Sequence, residues 1–243
     1  MFSGAGRFTL FSIAVIRTAF SRLPPWDLLG AQMVTVSVRA LPLIFAVASF
    51  VGMNMALQGY NLFREIGGSQ ATGMFVGLAA LRELGPIVVG SMVASKSGSD
   101  MAAQIATMRL KAQIDALEIM AVDPLWYLVA PRFLAMVVMI PLLVVISDVV
   151  LVAAATAVAA LQLNMNGALF LNDVFRFSSF ADITNGMIKG GAFGVLISLL
   201  SCYHGFFADP SPEGVGTATN RAIVSVTSLA VIVNLVLSQL MYG

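Results

Sequence analysis

Three ionisable side chains stand where so apolar a chain would be expected to have none. Arg82 and Glu83 are neighbours inside a run, from about Ala71 to Ser95, that holds no other charge; Lys189 sits inside a second run, Ile183 to Phe207. A charge at mid-membrane costs about 2.5–3.5 kcal/mol on insertion scales, so such groups face protein or a cavity rather than lipid. Their chemistry suits the binding of a charged headgroup between apolar walls, which is what an amphipathic lipid needs. The competing reading is a buried ion pair that fixes helix packing. At about 1.5 Å of rise per residue, Arg82 lies about 18 Å from Gln70, near mid-membrane, and Lys189 roughly 10 Å from Asp182. Both runs enter from the same side, so the charges could line one cavity. Adjacent helical residues point about 100° apart, so Arg82 and Glu83 do not simply neutralise each other.

Other chemistry-bearing patterns fail on inspection. Gly90 to Ser97, GSMVASKS, approaches a phosphate loop, but Ser95 replaces the glycine that lets the backbone curl. The run also ends an apolar helix instead of following a strand, so no ATP hydrolysis is expected from this chain alone. Cys202 and His204 are two apart, which on a helix aims them to different sides. They are the chain's one cysteine and one histidine, which leaves no internal disulfide and no basis for a Cys or His metal site. No metal site, no cofactor and no catalytic residue is expected.

The elements that position the charges follow from composition. Of 243 residues, 59% are hydrophobic and 10% charged, and the mean hydropathy is +0.93. Soluble domains carry about 25% charged residues, so most of this exterior must face lipid. A net charge of +1 provides no field for nucleic acid. Met1 to Arg22 spreads three arginines through aromatic residues without an acid, which is unlike a cleaved signal and suits a helix lying in the headgroup layer of an anionic leaflet. Leu23-Pro24-Pro25-Trp26 breaks it. Ala40 to Phe63 is uncharged and exceeds the roughly 20 residues needed to cross a bilayer. The second span holds Arg82-Glu83, followed by Gly85-Pro86, which loosens the helix. Leu125 to about Leu163 is apolar apart from Arg132 and Asp148; it is either one helix bent at Pro141 or two. Gln162 to Arg176 reads as an external loop with a short helix. Ile183 to Phe207 and Ala222 to Gly243 complete five spans if the third is single. Gly73 and Gly77, and Gly186, Gly190 and Gly194, recur every four residues and offer flat faces for close helix contact. The expected fold is therefore an all-α membrane protein forming one domain, residues 1–243, with an interfacial region over 1–38 and a bundle over 39–243.

Between the second and third spans lies the most polar run, TMRLKAQIDALEIMAVDPLWYLVAPR, Thr107 to Arg132. Ala106, Leu110, Ile114, Leu117 and Ala121 make one apolar stripe; Lys111, Asp115 and Glu118 fall on another face, flanked by Arg109 and Gln113. The pattern predicts one short amphipathic helix, stopped at Asp123-Pro124 because the residue before proline leaves the α region. Such a helix lies on a membrane surface or serves as a handle for a soluble partner. With the N-terminus in the cytoplasm, Arg7, Arg17, Arg22, Arg39, Lys96, Arg109, Lys111, Arg132 and Arg221 fall inside and only Arg64 and Arg176 outside, as the positive-inside rule favours. That arrangement puts the C-terminus across the membrane.

LRELGP (Leu81 to Pro86), TMRLKAQIDALEIMAVDP (Thr107 to Pro124), APRFLA (Ala130 to Ala135) and EGVGTATNRAIV (Glu213 to Val224) occur in an order that resembles the MlaE/YrbE permease family. The likeness covers nearly all of the chain beyond residue 40. It implies the permease of an ABC-type lipid transporter in a bacterial inner membrane, working as a homodimer. It further implies a cytoplasmic ATPase partner carrying ATP and Mg, a periplasmic MCE-domain protein, a small STAS-domain protein, and phospholipid as cargo. Arg82, Glu83 and Lys189 would then contact lipid, and Arg109, Lys111, Gln113, Asp115, Glu118 and Met120 would belong to the coupling helix that the ATPase grips. The chain departs from the family pattern at Ser95-Lys96, Gln104, Ala112 and Asn234. The alternative function is a channel or transporter for ions or small solutes that uses the same intramembrane charges.

Overall fold

The computed structural model describes residues 2–65, 67–68 and 71–242, with the side chains of residues 2–5 left aside. Among these residues the secondary structure is helical, with no strand. The α-helices are α1 (Phe2–Ser21), α2 (Trp26–Glu65), α3 (Thr72–Ala79), α4 (Gly85–Val93), α5 (Ser99–Leu110), α6 (Gln113–Ile119), α7 (Ala130–Leu161), α8 (Gly167–Phe177), α9 (Phe180–Phe206) and α10 (Pro212–Tyr242). Stretches of π-helix, Ala80–Leu84, Ala94–Gly98 and Leu125–Val129, join or precede some of them.

Five described segments are long and apolar enough to cross a membrane: Trp26–Glu65, Thr72–Leu110, Leu125–Leu161, Phe180–Phe206 and Pro212–Tyr242. The first begins well before Ala40 and runs unbroken past residue 38. The third is one helix. Pro141 stays inside it because a membrane interior offers no water to compete for the backbone, and because Gly190 of α9 leaves room at Pro141: a Cβ on Gly190 would lie 3.2 Å from the proline Cα. The short helix expected between Gln162 and Arg176 is α8, opened by Asn166, whose Oδ1 accepts from the N–H groups of Ala168 and Leu169.

The polar run after the second span differs from expectation in two ways. It is not one helix. Ala112 takes a left-handed conformation (φ 54°) and separates α5 from α6. A left-handed non-glycine residue costs roughly 1–2 kcal/mol. Against that, the turn carries Ile114 to full burial with Ile105, Leu128 and Phe133, and burying such a side chain is worth roughly 1.5–3 kcal/mol. The helix also ends before Asp123-Pro124. Ala121 (φ 57°) donates to Glu118 O and Val122 to Leu117 O, both at 2.9 Å, a Schellman closure that stops α6 at Ile119. Asp123 begins the next helical stretch: its Oδ1 accepts from Leu125 N at 2.9 Å.

The chain forms two compact units, each assembled from separate segments. One comprises Met1–Ala40, Val93–Met139 and Gly191–Val233. Its core packs Phe11, Val15 and Ala19 of α1 with Ile114, Phe133, Leu199 and Cys202. The other comprises Leu41–Met92, Ile140–Gly190 and Asn234–Gly243. Its core joins Ala48, Ala56, Val76, Leu151, Ala155, Phe170 and Val174. In this second unit Gly73 and Gly77 lie against Phe170, Asp173 and Val174 of α8, so the expected small-residue face is in use.

Candidate functional site: a polar cluster among apolar helices

Arg82 and Glu83 lie in the π-helical stretch Ala80–Leu84, directly before Gly85-Pro86. Pro86 has no N–H, so in α-helical register the carbonyl four residues earlier, that of Arg82, loses its partner. Lys189 of α9 supplies a donor: its Nζ reaches Arg82 O at 2.7 Å. The same ammonium donates to Glu83 Oε1 at 2.9 Å and to Ser238 Oγ at 2.8 Å, which uses its three protons. Lys189 is fully buried, whereas the Glu83 side chain is 36% exposed. The other Glu83 oxygen, Oε2, accepts from Asn234 Nδ2 at 2.9 Å.

Arg82 turns to a different acid. Its Nε donates to Asp182 Oδ1 at 2.8 Å, and the guanidinium lies 4.7 Å from the centre of the Tyr242 ring. Asp182 is held from its other oxygen by a capping box. Ser179 N donates to Asp182 Oδ2 (2.8 Å) while Ser179 Oγ accepts from Ala181 N (3.0 Å), satisfying the first turn of α9. The Arg82 side chain remains 36% exposed, and its terminal nitrogens have no hydrogen-bond partner among the described residues. The cluster therefore presents two charged side chains outward, one of each sign, while Asn234 Oδ1 and the Tyr242 hydroxyl are buried without a hydrogen-bond partner among the described residues. All of its residues belong to one unit.

Arg82, Glu83 and Lys189 are thus brought together, Arg82 through Asp182 and Tyr242. Sequence reasoning missed Asp182, Asn234, Ser238 and Tyr242 as members. A signal was present: Asn234, Ser238 and Tyr242 recur every four residues in the last, charge-free span and so share one helix face. Two charges set aside as exceptions in the third span lie elsewhere. Asp148 is buried with both oxygens unpartnered, its carboxyl set against Gly85 where a side chain would stand. Arg132 is buried too and donates to Leu128 O (2.8 Å) and Gln104 Oε1 (3.3 Å).

On the other unit, α6 is held by Ile114 and by partly buried Leu117. Lys111, Gln113, Asp115, Glu118 and Met120 are exposed beside it, with Ile119 the most open of the neighbouring apolar residues. Arg109 is half-exposed and lies 3.9 Å from Asp115 Oδ1. Cys202 is buried, and His204 Nε2 lies 3.0 Å from Ser225 Oγ. Gly90 to Ser97 lies within α4 and the following π-helical stretch.

Comparison with known proteins places this geometry in context. A family model described as "Permease MlaE" matches residues 29–240. A Rickettsia felis protein named a probable ABC transporter permease is 35% identical over 237 residues, covering 98% of this chain and 92% of the relative. The intermembrane phospholipid transport system permease protein MlaE of Haemophilus influenzae is 31% identical over 241 residues, covering 99% and 92%. A probable ABC transporter permease of Synechocystis is 33% identical over 211 residues, 87% of this chain and 80% of that one.

Proposed function

The chain belongs to the MlaE permease family, and from that premise we propose that it moves phospholipid between a bacterial inner membrane and an outer MCE-protein shuttle, driven by a separate ATPase. The observation that carries this reading is the polar cluster. Glu83 and Arg82, half-exposed among apolar helices and fixed by Lys189, Asn234 and Asp182, offer opposite charges to a zwitterionic or anionic headgroup. Each acyl methylene exposed to water costs about 0.8 kcal/mol, so a greasy path with one polar station avoids most of the cost of desorbing a lipid. Two copies of the chain form the working unit in this reading. The ATPase grips the exposed residues around α6, while an MCE-domain protein receives lipid on the opposite face and a STAS-domain protein accompanies the ATPase. The N-terminus is cytoplasmic and the C-terminus periplasmic.

The test is lipid transfer by the complex reconstituted in vesicles. Glu83→Lys abolishes transfer while the complex still assembles. Unchanged transfer would remove Glu83 from the lipid path, and ion currents through the chain without any ATPase would replace lipid transport with a channel.

A further inference from the structure

We propose that the junction between α1 and the turn after α6 is a binding site for one anionic phospholipid of the leaflet in which α1 lies, separate from the cluster around Glu83. The site is a cavity of about 380 Å³ within one unit, lined by Arg17, Thr18, Ser21 and Arg22 on one side and by Asp123 and Trp126 on the other. Arg17 and Arg22 form no ion pair or side-chain hydrogen bond among the described residues. By contrast, Arg39 and Lys96 share Asp100, and Arg109 faces Asp115. The one acid in the pocket is engaged, since Asp123 Oδ1 accepts from Leu125 N. Two free guanidinium groups beside two hydroxyls match a phosphate diester, which accepts bidentate hydrogen bonds from arginine.

A lipid rather than a soluble phosphate follows from what adjoins the pocket. The buried stripe of α1 is Phe11, Val15 and Ala19. On its opposite side, at helical spacing, the chain leaves Leu10 (70%), Ile13 (57%) and Phe20 (72%) open beside Arg17. A headgroup in the pocket would leave its acyl chains along that ridge. The pocket walls are rigid: Trp126 Nε1 donates to Arg22 O at 3.1 Å, and the Schellman turn fixes Ala121 and Val122. Both contacts use backbone on the α1 side or within the turn, so the arginine side chains can change without undocking the helix.

The experiment is native mass spectrometry of the full chain in detergent, titrated with phosphatidylglycerol, phosphatidylcholine or inorganic phosphate. The wild-type chain should retain phosphatidylglycerol over phosphatidylcholine, and Arg17→Gln with Arg22→Gln should weaken that retention by about tenfold or more. Arg17→Lys with Arg22→Lys should recover part of it, and Arg7→Gln, outside the pocket, should leave it unchanged. Equal loss in Arg7→Gln would mean diffuse charge attraction and overturn the site. Displacement by inorganic phosphate alone would overturn the lipid assignment, as would undiminished retention in the double glutamine variant. Because no lipid movement is read, failure here leaves the transport reading standing.

Discussion

Lys189 Nζ lies 2.7 Å from the carbonyl oxygen of Arg82, a residue 107 positions away, at the one place where Pro86 brings no N–H to the helix. The lysine does two jobs with one ammonium. It satisfies a backbone group that the proline leaves open, and it fixes Glu83 in a half-exposed position. Lys189 is fully buried and its three donors are used.

Removing Lys189 should therefore disturb both neighbours. Lys189→Met leaves the Arg82 carbonyl and one Glu83 oxygen without a donor, a loss of about 1–3 kcal/mol for each group that stays dry. Thermal unfolding of the purified chain should show the drop. In a double-mutant cycle, Glu83→Gln should cost less in the Lys189→Met background than alone, because the pair shares its energy. Strict additivity would mean that the two do not interact.

Glycines along α2 make opposite predictions. A Cβ on Gly52 would meet the Leu151 backbone oxygen of α7 well inside contact distance, so Gly52→Ala must push two helices apart at a cost of about 1–3 kcal/mol. Gly30 has nothing within 4 Å of its Cβ position, and Gly30→Ala should stabilise the helix by about 0.5–1 kcal/mol. Equal melting temperatures for the two variants would contradict the close approach at Gly52.

Ala112 holds a conformation that glycine adopts freely. Gly at this position should stabilise the α5–α6 turn by roughly 1 kcal/mol, read as slower hydrogen exchange of the Ala116 N–H, which donates to Ala112 O. A continuous helix through residue 112 would instead make Ala112→Gly destabilising by about the same amount.

If α6 is the ATPase handle, Asp115→Lys should reduce recovery of the ATPase in a pull-down severalfold without affecting the fold, because Asp115 is exposed and its contact with Arg109 is long. Surface ion pairs of that kind contribute roughly 0–1 kcal/mol. Full recovery of the ATPase would take Asp115 out of the docking surface.

The number of spans, the short α8, the small-residue faces and the family were legible in the sequence, whereas the first and last spans begin well before, and the second ends well after, their apolar runs. Each rests on a local property: a run of hydropathy long enough to cross a bilayer, a spacing of four, or an ordered set of motifs. The presence of Arg82, Glu83 and Lys189 inside apolar spans was legible for the same reason. Tertiary structure alone decided their pairing. Hydropathy carries no information on whether Arg82 meets Asp182 or Lys189 meets Glu83, because each pair lies about a hundred residues apart and is joined by packing. It also decided that α7 continues through Pro141, where Gly190 makes room. The same holds for the break at Ala112: the helical stripe continues through it, yet burial of Ile114 outweighs the strain of turning there.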